Sequence, residues 1–120
     1  MPKRKTEFLN VQVTAIETSP GKFAATFDPE TLNVHRKDCV INYQLINSTG
    51  ITFTGLTVDP ADNDQFSVPS VSKSGKMITL SDANTDHKTF HISLLLTGKK
   101  NGNVDPEVIN QPETTGPDDE

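Results

Sequence analysis

The stretch Thr89–Glu113, TFHISLLLTGKKNGNVDPEVINQPE, decides the fold. Phe90, Ile92, Leu94 and Leu96 alternate with His91, Ser93 and Thr97, the period of two expected of a strand with one buried face. Asn101-Gly102 follows, a strong two-residue hairpin signal, because both residue types tolerate the left-handed conformation of a type I′ turn. The spacing therefore predicts a reversal there, with Val104 to Ile109 running back as a last edge strand. Pro106 lacks an N–H and suits an edge, Pro112 fixes an extended exit, and the flanking acids discourage stray pairing. Asp105, Pro106, Glu107, Val108, Ile109, Asn110, Gln111, Pro112 and Glu113 thus form a candidate interaction motif: a strand that ends the sheet, or one that leaves to join a partner. Val108 and Ile109 are adjacent and cannot share one strand face. A twist, a bulge or a partner is expected at this point, and a homodimer is the simplest partner.

Working outward, the same period recurs. Leu9, Val11, Val13 and Ala15 alternate with polar residues, and Phe23, Ala25 and Phe27 repeat the pattern after Pro20-Gly21. Cys39, Ile41, Tyr43 and Leu45 form a further run. Ile51, Phe53, Leu56 and Val58 slip phase at Gly55, a bulge signature that predicts positive φ there. Phe66, Val68 and Ser70 enclose Pro69 and read as an edge, while Ile78 and Leu80 follow a Ser74-Gly75 turn. No segment carries apolar residues at helical spacing over three turns. Seven to eight short strands punctuated by turns predict an all-β fold, an antiparallel immunoglobulin-like β-sandwich, with a small β-barrel as the alternative. The Cys–Trp–Cys hallmark of antibody domains is missing, so the likeness is one of architecture. The expected organisation is a disordered basic N-terminus over residues 1–7, a single domain over 8–113, and a disordered acidic tail over 114–120.

At 120 residues the chain is long enough to bury a core without disulfides or metal. Its net charge is −5, with Lys3, Arg4 and Lys5 at one end and six acids in the last sixteen residues, which leaves the body near −2. An acidic chain repels phosphate backbones, so no nucleic-acid partner is expected. Three basic residues fall short of a polybasic address. Cys39 is the single cysteine, and no apolar run has the length of a signal peptide or a membrane span. The expectation is a soluble cytoplasmic protein with no membrane partner.

The residues that invite chemistry are few. A blue-copper site needs Cys, His and Met packed within a few residues, yet no His follows Cys39 until His87, and Cys39 shares a face with Ile41, Tyr43 and Leu45. His87 and His91 have a spacing that binds zinc on a helix; on a strand it separates the rings by about 13 Å, too far for one ion. Asp82, Asn84 and Asp86 supply oxygens at positions 1, 3 and 5 of a calcium-loop pattern, but His87 and Ser93 replace the required glycine and glutamate. Asp59, Asp62 and Asp64 form a second acidic loop. The more common use of such residues is a turn in which Asp and Asn bond their own backbone. No serine sits in a Gly-x-Ser-x-Gly context, and no Gly-rich phosphate cradle exists. These readings predict a protein that is not an enzyme and holds no cofactor. It would act by protein–protein interaction or self-association. The alternative is a calcium- or carbohydrate-binding module using loops 59–64 and 82–86, with the lack of Trp weighing against sugar stacking.

Gly75-Lys76, then Asp82 and Asn84, the strand Phe90–Leu96, and DPEVINQPE together resemble the small bacterial proteins of the DP-EP family. The likeness spans the body, residues 8–113, and its most specific part is the Asp-Pro-Glu and Gln-Pro-Glu pair framing Val-Ile-Asn. The family has no assigned activity. The resemblance therefore implies a compact all-β domain and no catalytic residue.

Overall fold

All but one of the alternating runs is a full strand in the computed structural model, which describes residues 6–112. Residues 1–5 of the expected basic N-terminus, Glu113, and the expected acidic tail 114–120 lie outside the described residues. The ten strands are β1 (Phe8–Ser19), β2 (Lys22–Asp28), β3 (Thr31–Val34), β4 (Cys39–Leu45), β5 (Thr52–Asp59), β6 (Ser70–Val71), β7 (Met77–Asp82), β8 (Lys88–Thr97), β9 (Asn101–Val104) and β10 (Glu107–Asn110). The weak run around Pro69 shrinks to β6, an edge as expected, plus an isolated bridge between Phe66 and Asp82.

The strands form two open five-stranded sheets, the first ordered β2-β1-β4-β7-β6 and the second β3-β10-β8-β5, with β9 also paired to β8. This is a β-sandwich, not a closed barrel. Its core is what the alternation predicts: Val11, Val13, Ile41, Tyr43, Ile78 and Leu80 from the first sheet, and Phe53, Ile92, Leu94, Leu96 and Val108 from the second, all at most 4% exposed. Each such aliphatic side chain contributes about 1.5–3 kcal/mol by leaving water.

Three local expectations are corrected. First, the sheets are mixed, not antiparallel throughout, and hold ten strands rather than seven or eight. β1 pairs β4 in parallel and β10 pairs β3 in parallel. β3, a four-residue strand outside the expected set, crosses to the second sheet between β2 and β4, which lets β4 return alongside β1 in the same direction. Second, Asn101-Gly102 is not the turn. Asn101 pairs with Thr97 and Gly102 with Leu96 inside the β8–β9 ladder, so the reversal falls on Gly98-Lys99-Lys100. Glu17 holds that reversal: its carboxylate accepts the N–H of Lys99 at 2.7 Å and of Lys100 at 3.1 Å, and also that of Gly21 at 2.9 Å in the β1–β2 turn. Gly102 serves the contact between sheets instead. A Cβ there would meet the Gly21 carbonyl oxygen and would stand 2.7 Å from the Phe23 ring. Third, β10 is not an edge. It lies between β8 and β3, bonded on both sides.

The expected bulge is present where β5 meets β8: Phe53 faces Leu96, Gly55 faces Leu95, and Thr54 is the extra residue. Gly55 does not adopt the expected positive φ; Leu95 packs over it, 3.4 Å from where a Cβ would stand.

Candidate functional sites: a buried polar cluster and an uncharged sheet face

Asp105-Pro106 is the step between β9 and β10, and its chemistry explains why one line of chain pairs twice with β8. Proline supplies no N–H, so the ladder must pause there. The Pro106 carbonyl still accepts the Ile92 N–H at 2.9 Å. Asp105 accepts the Ser93 hydroxyl and the Asn103 side-chain amide, both at 2.8 Å, which anchors the step on the outer surface. Beyond it Glu107 lies 3.4 Å from His91. Val108 is fully buried, Ile109 is half-buried on the outer face, and Asn110 is fully buried again. The adjacent apolar pair is thus divided between core and surface, and the strand pairs within its own chain.

Asn110 leads to a cluster that joins the two sheets at one pole. Its Nδ2 donates to Asp82 Oδ1 at 3.0 Å and to Gln65 Oε1 at 3.2 Å. Asp82 ends β7, and the same Oδ1 accepts the Asn84 N–H at 2.9 Å, closing an Asx turn. Asn84 holds φ at 52°, a left-handed value that asparagine tolerates, and from there its Nδ2 reaches the Val34 and Arg36 carbonyls, both at 3.1 Å. Gln65 ties in the neighbouring loop: Oε1 accepts the Thr85 N–H at 2.8 Å, while Nε2 donates to Thr85 Oγ1 and Asp64, both at 2.8 Å. Asp82, Asn84 and Asn110 are each 0% exposed. Burial pushes the Asp82 carboxyl up to about 6, and hydrogen bonds from Asn110 and the Asn84 N–H oppose the rise.

The two acidic loops therefore do lie against each other, joined through Gln65. Their side chains are divided in use. Asp82 and Asn84 point inward, whereas Asp86 is exposed and offers its N–H to Gln65. In the other loop Asn63 bonds the Pro60 carbonyl at 2.7 Å and accepts the Gln65 N–H at 2.9 Å, the self-bonded turn that Asp/Asn-rich segments favour. No group of three or more His, Cys, Asp or Glu residues is arranged to hold a metal among the described residues. Gln65 and Asn110 escaped the sequence reading as buried groups, since an amide in a polar segment carries no periodic mark of burial. Cys39, paired across the strands with Asp82, is fully buried, and burial followed by the Asp82 charge pushes its thiol up to about 12.

At the opposite end Lys76 performs a similar tie. Its Nζ donates to the Ser48 and Ile51 carbonyls, the former at 3.0 Å, pinning the loop between β4 and β5. Gly75 has φ at 75°, and a Cβ there would stand 2.7 Å from Thr52 Cβ, so Gly-Lys is a turn-and-clasp unit.

The outer faces of the sheets differ sharply in charge. On the second sheet the register places Thr31, Glu107, His91 and Asp59 in one row, with Asp105 beside it. On the first sheet, β1, β4 and β7 turn out only uncharged side chains. Asn10, Asn42 and Thr79 form a bonded row, with 2.7 Å separations at both links. Gln12, Gln44 and Met77 form the next. Phe8 and Ile16, on the same face of β1, are 75% and 64% exposed. Among the described residues, the strands of this sheet bring charged side chains onto this face only on the edge strand β2, at Lys22 and Asp28.

Two mixed sheets, a terminal strand inserted between its neighbours and a pole tied by buried amides define an all-β sandwich of two layers. The DP-EP family model matches residues 7–112, and the chain belongs to that family. No curated protein matches it. No helix is long and apolar enough to cross a membrane among the described residues.

Proposed function

We propose that this protein acts without catalysis, by contact between protein surfaces in a bacterial cytoplasm, and that its partner is a second copy of itself. The observation that supports the reading is the uncharged outer face of the first sheet. Interface cores are depleted in charge relative to the rest of a protein surface. A chain of net charge −5 repels its own copies wherever acids face acids, as they would across Asp59, Asp105 and Glu107. The β1–β4–β7 face is where two copies can meet without that repulsion, with Phe8 and Ile16 as apolar anchors. In this reading the fold is immunoglobulin-like in its use as well as its layering, a rigid sandwich presenting a sheet face. Pairing in trans through the terminal strand does not enter, because β10 is bonded on both sides within the chain.

The test is sedimentation of the full chain over a wide concentration range, beside Gln44→Lys and Phe8→Ser. A concentration-dependent dimer that either variant dissociates, with circular dichroism unchanged, is the expected result. A wild-type chain that stays monomeric throughout would overturn the reading.

A further inference from the structure

The buried cluster beneath β10 has used all its amide donors and kept a surplus of acceptors. Both hydrogens of Asn110 Nδ2 go to Asp82 and Gln65, both of Asn84 Nδ2 to the Val34 and Arg36 carbonyls, and both of Gln65 Nε2 to Asp64 and Thr85. Asp82 Oδ2, Asn84 Oδ1 and Asn110 Oδ1 are left buried without a partner. Asp82 Oδ2 and Asn110 Oδ1 are the free halves of two side chains bonded to each other, since Asp82 Oδ1 accepts from Asn110 Nδ2 at 3.0 Å. Asn84 joins them through its main-chain N–H, which donates to the same Oδ1 at 2.9 Å. The Tyr43 hydroxyl is buried without a partner too, and the charge on Asp82 helps to lift its phenol above the ordinary range after burial itself. Among the described residues no Lys or Arg side chain is paired with Asp82.

Leaving a buried carboxylate without a counter-charge, or three acceptors without donors, is strongly unfavourable, because each group has given up its water for nothing in return. The candidates to relieve it can be counted. A proton on Asp82 serves one neighbouring acceptor. A water molecule donates to two and brings no charge. A cation answers all the oxygens at once and neutralises the carboxylate. An all-oxygen ligand set selects a hard ion. A single carboxylate balances a single positive charge, whereas a divalent ion would leave a net charge buried.

We propose that Asp82, Asn84 and Asn110 form a buried site for a hard monovalent cation of the sodium class, placed where β7 and β10 join the two sheets. Asp86 has no part in it. Bound there, the ion ties the terminal strand to the opposite sheet, so its binding free energy becomes folding stability.

Thermal melts of the full chain at pH 8 and constant ionic strength test this, in sodium chloride, in choline chloride and with added calcium. Sodium should raise the melting temperature over choline by several degrees, saturably. Asp82→Asn, which keeps the shape and removes the charge, should abolish the difference. Sodium-23 line broadening on the wild-type protein, reversed by unfolding, provides a second reading should that variant fail to fold. Equal melting in sodium and choline without line broadening would overturn the site. Stabilisation by calcium alone, or a sodium effect that survives in Asp82→Asn, would overturn it as well.

Discussion

Cys39 and Glu17 show how far one side chain's setting governs its behaviour. Cys39 is sealed between Asp82 and the core, and its thiol is pushed up to about 12, so at neutral pH it is neither accessible nor ionised. Native labelling should be slow and should become fast in denaturant; prompt reaction of the folded protein would contradict the packing. Glu17 is the reverse case. The N–H groups of Lys99 and Gly21, then Lys100, hold its carboxyl below the ordinary value of 4.5. A carboxyl depressed on folding contributes stability that is fully present above its unfolded pKa and is lost as pH falls through the folded one. Glu17→Gln should therefore melt lower than wild type at neutral pH, and the two curves should converge in acid below 4.5. A constant gap across that range would mean that the carboxylate charge plays no part in holding the two turns. Neither role had the same visibility in sequence. Cys39 stands in an alternating row, while Glu17 looks like any solvent-facing acid, because two of its three partners, Lys99 and Lys100, lie more than eighty residues away.

Elements were legible where one face is wet and the other dry. β1, β4, β7 and β8 alternate and are legible for that reason. The bulge in β5 is legible in its place but not in its geometry, since Thr54 is the extra residue and Gly55 keeps a φ outside the left-handed region. β3 was missed because four residues give one apolar repeat, Leu32 and Val34, too short to stand out from a loop. The hairpin after β8 was displaced because Asn-Gly is a strong local signal that a distant carboxylate overrode. This yields a direct test at Gly102. An Asn-Gly turn would tolerate asparagine at its second position, whereas Gly102→Ala should cost about 1–3 kcal/mol by forcing a Cβ against Gly21 and Phe23. Denaturant melts decide between the two. The terminal motif divides in the same way. Val108→Ala should cost about 2 kcal/mol from lost burial and an unfilled cavity, and Ile109→Ala clearly less, because Ile109 is only half-buried. Equal losses would place both residues in one environment, against the register of β10.

The whole molecule carries its polarity unevenly, and sequence alone could not display that. Net charge is visible from composition, but which charges share a face depends on register, and register across parallel pairs such as β1–β4 follows from no local rule. The polar pole was half legible: Asp82 and Asn84 drew attention as a loop, yet their true companions, Gln65 and Asn110, come from distant segments. The parallel pairing of β3 with β10 also bears on how the chain is made. A ribosome delivers Thr31–Val34 early and Glu107–Asn110 late, and β10 is the strand to which β3 is bonded in its sheet. Until residue 110 has emerged, Leu32 and Val34 have no neighbour to cover them from that side, and the second sheet cannot close. The nascent chain should thus stay open to proteases and chaperones until β10 is delivered, and close its second sheet when that strand slots between β3 and β8.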